Sequence, residues 1–321
     1  MKRFISKLAP AIDAYLEFRT AIGRSTSCCI RHLELFDCYY HEHYPESESL
    51  NQEAVLGWMT HEAAKKNNSL SYKASSIRQF AKYMGNGSYV LPIDFSPKKS
   101  SFTPYIFTDK ELTSLFKAAE NLTLKEKCDP FLLEVIPVLL RLLYTCGLRP
   151  TEGRLLKRIN ICFETGEILI VGTKAHKERI VMMSDDMLTL CKQFDAQRTI
   201  SVSSSEYFFV HSDGSPLQGC ELRDFLRLCW TKANPETPQK ILPNIRPYDL
   251  RHRFASAILQ KWLDEGQNLY AMLPYLRSYM GHQDFSSTSY YIHILPENLL
   301  SSPRVDWDKM DAIMPEVEVW Q

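Results

Sequence analysis

The sequence predicts a mainly α-helical protein with one small antiparallel β-sheet, divided into two domains. Apolar residues recur at helical spacing along most of the chain. Two short runs rich in β-branched residues, "GEILIVG" and "ERIVMM", flank a basic turn and predict a hairpin. The chain has 321 residues, and a single hydrophobic core rarely serves more than about 300, so two domains are expected.

Four helices are predicted in the first domain, over residues 1–90. The third begins after Asn51, a residue type that caps helices, and the fourth stops at the breaker "GNG". Each of the four carries a stripe of apolar side chains that predicts one buried face. The four segments read "PAIDAYLEFRTAI", "CCIRHLELFDCYYHEHY", "NQEAVLGWMTHEAAKK" and "SYKASSIRQFAKYM".

The composition of residues 91–104, with prolines, lysines and serines, predicts an interdomain linker before a second domain at 105–300. This domain opens with a capping box of Thr108 and Glu111. A strongly apolar helix then ends at Gly147, and a turn and a second helix follow it. After the hairpin, helices resume from Asp185, with "YFFV" as either a strand or a buried turn. Residues 301–321 form an acidic tail.

The bulk composition predicts a cytoplasmic protein without naming a partner. The formal net charge is zero, so any basic surface must be local. The nine cysteines are scattered and include no C-x-x-C, which indicates reduced thiols instead of a disulfide framework. The first residues lack the apolar stretch of a signal peptide, and no run of 18 apolar residues predicts a membrane span.

Two basic patches begin the second domain, and each has an ordinary interpretation beside a functional one. In "CGLRPTEGRLL", Arg149 has two interpretations. It is either a surface arginine near a helix start or an arginine whose guanidinium the turn orients to bind a phosphate at two points. The hairpin turn is either solvated or reaches into a nucleic-acid groove, which a two-stranded ribbon fits. Its basic side chains are Lys174, His176, Lys177 and Arg179.

Two more patches lie nearer the carboxyl end. "RPYDLRHRFAS" is either a charged helix end or a phosphate site at a helix start. Its charged side chains are Arg246, Asp249, Arg251 and Arg253, with Tyr248 and His252 beside them. In "GHQDFSSTSYYIHI", His282 follows a glycine, and Tyr290 and Tyr291 stand side by side.

Together the four patches resemble the tyrosine recombinases, a family that includes phage integrases and Xer-type recombinases. The family pattern is read here as "GLRPTE", "GTKAHKER", "YDLRHRFA" and "MGH…SYYIH", in the family's order, over roughly residues 105–300. The resemblance implies an N-terminal helical core-binding domain and a tyrosine-recombinase catalytic domain. It also implies that the nucleophile is the tyrosine nine residues beyond His282, which is Tyr291.

Carried over position by position, the resemblance implies a catalytic set of Arg149, Lys174, Tyr248, Arg251, His282 and Tyr291. The clustering of basic side chains in "KAHKER" and "RPYDLRHR" predicts a set of DNA contacts. These are His176, Lys177, Arg179, Arg246 and Arg253. Tyr248 departs from the family, which usually has histidine there. Because a phenol of pKa about 10 is a poor base at neutral pH, we expect Tyr248 to orient the phosphate or the nucleophile.

The resemblance implies a site-specific DNA recombinase that cuts and rejoins DNA through a 3′-phosphotyrosyl intermediate, in integration, excision or transposition. The implied partners are a double-stranded recombination site and a homotetramer on two such sites, and the sequence leaves open whether accessory proteins bend the DNA. No cofactor and no metal are expected, since the sequence has no metal-ligand spacing. The tail at 301–321 either packs on its own domain or docks into a neighbouring protomer.

Two alternatives remain at this stage. One is a DNA-binding protein of recombinase descent that no longer cuts, motivated by Tyr248. The other is a helical regulator or scaffold in which the arginine motifs are coincidental. Salt-sensitive DNA binding without a covalent adduct would favour the first alternative, and absence of DNA affinity at low salt would favour the second.

Overall fold

The structure is a computed structural model, and it describes residues 3–64, 70–85, 87–93, 95, 103–123, 128–171, 178–202, 204–282, 284, 288 and 291. The chain divides into two compact units, Met1–Phe102 and Thr103–Gln321. Within the described residues, no helix is long and apolar enough to cross a membrane. The eight cysteines whose side chains are described are free thiols.

The first unit contains the four helices predicted for it. They pack around a core that includes Leu33, Trp58 and Phe80, each fully buried. Asn51 caps the third helix as predicted, because its side-chain oxygen accepts the backbone N–H of Ala54 at 2.8 Å. The helices are α1 (Ala9–Ala21), α2 (Ser27–His43), α3 (Gln52–Ala64) and α4 (Leu70–Met84).

Within the described residues, the second unit holds seven further α-helices, a short 3-10 helix (Arg158–Asn160) and one two-stranded sheet. Its helices are α5 (Asp109–Glu120), α6 (Leu132–Thr145), α7 (Pro150–Arg154), α8 (Asp185–Ser201), α9 (Gly219–Ala233), α10 (Pro247–Asp264) and α11 (Leu269–Met280). The capping box of Thr108 and Glu111 opens α5, and α8 begins at Asp185, as predicted. The "YFFV" segment makes isolated bridges instead of a strand.

The predicted hairpin strands are present as β1 (Glu167–Ile170) and β2 (Arg179–Met182), which pair antiparallel. The register places Ile168 opposite Val181, and both side chains are fully buried. Side chains of a strand alternate between its two faces, so one face of the ribbon joins the core and the other faces outward. The mainly helical fold with one small antiparallel sheet is confirmed.

Helix α6 is the central element of the second unit. Eight of its fourteen residues are buried, including Val135, Leu139 and Leu143. It packs against α5, α7, α8, α9 and α10. A helix buried on nearly every side is fixed in position by its neighbours. Its carboxyl end is therefore a rigid platform, and the first arginine motif follows directly from it.

Candidate active site

Arg149 is held by the turn that follows α6. Gly147 ends that helix with a φ of 59°, a left-handed conformation that side chains with a Cβ rarely adopt. Two residues later, Arg149 is the N-cap of α7, and its backbone N–H donates to Oε2 of Glu152 at 2.9 Å. Its guanidinium donates Nη1 to Oε1 of Glu152 at 2.7 Å and Nη2 to the carbonyl of Gly281 at 2.6 Å.

Arg251 lies in the first turns of α10, and its side chain is fully buried. It donates Nη1 to the carbonyl of Gly147 and Nη2 to the carbonyl of Met280, both at 2.6 Å. Burial lowers its pKa, but a guanidinium remains charged in proteins. Its Nε is buried and has no hydrogen-bond partner among the described residues. This N–H thus remains available to a group that enters the site.

Helix ends supply the acceptors for these guanidiniums. Gly147 follows the carboxyl end of α6, while Met280 and Gly281 form the carboxyl end of α11. The last carbonyls of a helix lack intrahelical partners and carry a partial negative charge, which favours cations. Two helix ends from distant parts of the chain therefore orient Arg149 and Arg251 toward one region.

His282 links Arg251 to the segment that follows α11. Its Nε2 lies 3.0 Å from Nη2 of Arg251, and its Nδ1 lies 2.8 Å from the hydroxyl of Thr288. Because a guanidinium can only donate, Nε2 accepts and Nδ1 carries the proton. Burial, reinforced by the charges of Arg251 and Arg149, lowers the pKa of His282 to about 3. The imidazole is neutral at physiological pH.

Tyr291 packs inside the same pocket and is only 2% exposed. Its ring stacks on His282, with centroids 5.8 Å apart and planes 14° apart, and lies 5.4 Å from the ring of His252. Burial raises the pKa of Tyr291 to about 12, although the positive charge of Arg251, with which it also hydrogen bonds, acts in the opposite direction. The phenol is therefore protonated at neutral pH.

Tyr248 and His252 lie one helical turn apart on α10, at the edge of this pocket. The ring of Tyr248 is 5.2 Å from that of His252, and it lies under Cζ of Arg251 at 6.0 Å. Burial, with the charges of Arg246 and Arg251, lowers the pKa of His252 to about 4. His252 is not in the catalytic set predicted from the sequence, and the packing brings its ring against that of Tyr291.

The predicted DNA contacts that the structure describes do not all lie at the pocket, and their side chains differ in exposure and in ion-pair partners. Two others, His176 and Lys177, lie outside the described residues, as does Lys174 of the predicted catalytic set. Arg246 forms an ion pair with Asp249 at 3.4 Å and its side chain is 39% exposed. Arg253 is paired with Asp109 at 2.5 Å and is 15% exposed.

Arg179 differs from these, because its side chain is 9% exposed and is occupied inside the protein. It donates Nη1 and Nη2 to the two oxygens of Glu152 at 2.9 and 2.7 Å, and Nε to the carbonyl of Tyr279 at 2.9 Å. These bonds favour a supporting role over a DNA contact. They also help to lower the pKa of Glu152 to about 2, although burial opposes its ionisation.

Comparison with known proteins identifies relatives for most of the chain. The model of the phage integrase family matches residues 106–298. Tyrosine recombinase XerC of Staphylococcus saprophyticus is 26% identical over 278 residues, which span 83% of this chain and 85% of the relative. Tyrosine recombinase XerC of Oceanobacillus iheyensis is 28% identical over 255 residues, which span 75% of this chain and 76% of the relative.

Solved structures with a similar fold include two recombination proteins bound to DNA. XerH site-specific recombinase bound to difH substrate matches with a TM-score of 0.63 and 18% identity, over 86% of this chain and 78% of XerH. The Tn1549 transposon integrase in complex with transposon right end DNA matches with a TM-score of 0.64 and 15% identity, over 94% of this chain and 99% of that chain. These likenesses show a shared fold.

Proposed function

The chain belongs to the phage integrase family of tyrosine recombinases, and from that membership we propose that it cuts and rejoins DNA at specific sites through a 3′-phosphotyrosyl intermediate. One observation carries the proposal. Arg149, Arg251, His282 and Tyr291 come from three separate motifs and converge on one pocket. Two guanidiniums beside a buried phenol match the needs of phosphoryl transfer to tyrosine, in which charge builds on the phosphate oxygens.

In the proposed reaction, the hydroxyl oxygen of Tyr291 attacks the scissile phosphorus. The O–P bond to tyrosine forms as the bond to the 5′-oxygen breaks, and the DNA end leaves as a 5′-hydroxyl. Arg149 and Arg251 hold the non-bridging oxygens and stabilise the pentacoordinate transition state. Attack by the 5′-hydroxyl of another strand reverses the chemistry, so the exchange conserves bond energy.

Two protons move in this step. Lys174 donates one to the leaving 5′-oxygen as a general acid. The Tyr291 phenol, with its pKa raised to about 12, releases the other to water as the bond to phosphorus forms. Tyr248 orients the phosphate, because a phenol in place of the usual histidine is a good hydrogen-bond donor and a poor base. When the phosphate binds, a non-bridging oxygen takes the place of His282 Nε2 as an acceptor of Arg251. The His282 proton then moves from Nδ1 to Nε2, so that Nε2 donates to that oxygen.

The assembly we propose is a homotetramer on two double-stranded recombination sites. The helical domain at 1–90 and the catalytic domain at 105–300 both bind the DNA core site. The tail at 301–321 docks into a neighbouring protomer. Crystal structures of lambda integrase that share this fold contain a dimer on a COC′ core site and a tetramer on a Holliday junction. Of the predicted DNA contacts that the structure describes, Arg246 has the most exposed side chain, and we assign it a phosphate contact.

A covalent-adduct assay tests the function. Duplexes that bind the wild-type protein are recovered from a random-sequence library and nicked beside the candidate cleavage position, so that the cut strand cannot religate. We expect a protein–DNA adduct that survives denaturation with the wild type and none with Tyr291→Phe, because the attacking oxygen has been removed.

The neighbouring variant Tyr290→Phe is the matched control, since it removes the same atom one position away. It should form the adduct as the wild type does. An adduct with Tyr291→Phe would rule out the assigned nucleophile. Salt-sensitive binding with no adduct from the wild type would instead favour a recombinase relative that does not cut.

A further inference from the structure

We propose that Arg179 is a positioning residue for strand cleavage, which holds the carboxyl end of α11 and Glu152 so that Arg149 and Arg251 converge on the scissile phosphate. This inference rests on the proposed function. It replaces the sequence-based expectation that Arg179 contacts DNA. Arg179 itself touches none of the proposed reacting atoms, and it acts through the residues around it.

Three consecutive carbonyls at the end of α11 each accept a hydrogen bond from a different arginine. Tyr279 accepts from Arg179 at 2.9 Å. Met280 accepts from Arg251 and Gly281 accepts from Arg149, both at 2.6 Å. The carbonyl that Arg179 binds therefore directly precedes the two that orient the proposed catalytic arginines. Any shift of this helix end moves both of those acceptors together.

Arg179 also acts on Arg149 indirectly, because both arginines bind Glu152. The carboxylate receives two parallel bonds from Arg179, at 2.9 and 2.7 Å, and also receives the backbone N–H and Nη1 of Arg149. Two-point bonds fix both the distance and the plane of a carboxylate. Because Arg179 fixes the orientation of the Glu152 carboxylate, it also fixes the position of Oε1, which accepts the hydrogen bond from Nη1 of Arg149.

Packing around Gly281 shows how little room this arrangement leaves. Gly281 has a φ of 65°, and a Cβ added to it would lie 3.0 Å from Nη1 of Arg179. The guanidinium of Arg179 therefore lies between Glu152 and the backbone that carries His282. The side chains of Arg179 and Glu152 are both 9% exposed, so the pair is buried and shielded from water. A buried arginine with three of its nitrogens engaged has little capacity left for a DNA phosphate.

The test uses Arg179→Lys, which keeps a positive charge but loses the planar guanidinium that binds both oxygens of Glu152. The substrate is the nicked duplex recovered with the wild-type protein, and the measurement is the rate of adduct formation in a single turnover at saturating protein. We expect a loss of about tenfold to 100-fold, because a displacement of roughly 1 Å in a catalytic constellation has effects of that size. Affinity for the intact duplex should stay within about threefold of wild type, since Arg179 makes no DNA contact in this proposal.

A second substrate separates positioning of the arginines from general disruption. It carries a methylphosphonate at the scissile position, which removes the negative charge that Arg149 and Arg251 would neutralise. On the methylphosphonate, the fold-loss in the rate of Arg179→Lys relative to wild type should be less than about a third of the fold-loss on the phosphodiester. The reason is that the two arginines no longer have a negative charge to neutralise. Damage to the fold or to Tyr291 would slow both substrates equally.

Arg198→Lys is the matched control. Arg198 is buried in the same unit and donates Nε to Phe208 at 3.1 Å and Nη2 to two further carbonyls, away from the pocket. The rate of Arg198→Lys divided by that of the wild type should be the same on both substrates. Equal losses on both substrates with Arg179→Lys, or a wild-type rate on the phosphodiester, would overturn the inference. Failure of the wild type itself to form an adduct would instead refute the proposed function.

Discussion

At the residue scale, the candidate site depends on the ionisation states that burial imposes. Arg149 and Arg251 stay charged, while the rings of His282 and His252 are neutral in the folded chain and Tyr291 is protonated. Desolvation disfavours the charged form of every group in the pocket, but the ordinary pKa of a guanidinium is so high that Arg149 and Arg251 stay charged. The pocket therefore offers a phosphate positive charge from guanidiniums alone among these residues.

The two neutral histidines make stability depend on pH. Their pKa values are about 3 for His282 and about 4 for His252 in the folded chain, against about 6.5 when unfolded. Between these values the unfolded chain binds more protons, so the stabilising contribution is complete above about pH 6.5 and is lost as pH falls. We expect the free energy of unfolding to fall between about pH 7 and about pH 5, by up to roughly 1.4 kcal/mol per pH unit for each histidine, and the urea midpoint to fall with it.

The variant His252→Asn checks this assignment, because it removes one of the two titrating groups. Its urea midpoint should change less between the same two pH values than that of the wild type, whatever its stability at neutral pH. If the two pH dependences coincide, His252 does not titrate with the depressed pKa argued for it.

At the element scale, helix termini do most of the positioning. The end of α6 presents the carbonyl of Gly147, and the end of α11 presents three successive carbonyls, all to arginines. Both helices are followed by a glycine in the left-handed conformation. A glycine there lets the chain turn sharply while its carbonyl faces the next element.

Gly147→Ala tests the element that carries Arg149. An added Cβ would lie 2.4 Å from Cδ1 of Phe254 on α10, and alanine would also be strained at a φ of 59°. We expect lower stability and slower adduct formation, because Phe254 and the carbonyl bound by Arg251 must both shift. Urea unfolding measures the first effect and the single-turnover adduct assay the second.

Gly266→Ala is the control for that experiment. Gly266 has a φ of 69°, but a Cβ there would meet nothing within 4 Å, so only the backbone strain applies. Gly147→Ala should be more destabilising than Gly266→Ala by roughly 1–3 kcal/mol, the usual range for overpacking. Equal losses of stability would mean that contact with Phe254 is unimportant.

At the scale of the whole molecule, the two units have separate hydrophobic cores. One core contains Leu33 and Trp58 of the first unit, and another contains Leu139 and Leu143 of the second. The clusters share no residue among those described. Because a core is the main source of folding cooperativity, we expect each unit to unfold in its own transition.

Differential scanning calorimetry of two core variants checks this expectation. Leu33→Ala and Leu139→Ala each remove a fully buried side chain, a change that typically costs about 2–5 kcal/mol. Leu33→Ala should lower the midpoint of one transition, and Leu139→Ala that of the other. A single transition that both variants shift by the same amount would mean that the units unfold together.

Sequence reasoning predicted the elements because their signals are local. The stripe of apolar residues in α4, the cap at Asn51 and the capping box of Thr108 and Glu111 each depend on residues within a few positions of one another. The order of the recombinase motifs is equally visible in the chain. So is the spacing that singles out Tyr291 from its neighbour.

The helical class, the hairpin and the positions of the motif residues can therefore be predicted from the amino-acid sequence. The acceptor that each arginine binds, the pairing of Arg179 with Glu152 and the contact of His252 with Tyr291 become visible only when the helices are packed. The physical reason is that these contacts join residues far apart in the chain, several of them through backbone carbonyls. A carbonyl is the same at every position, so no residue type or spacing marks it until the helices have packed.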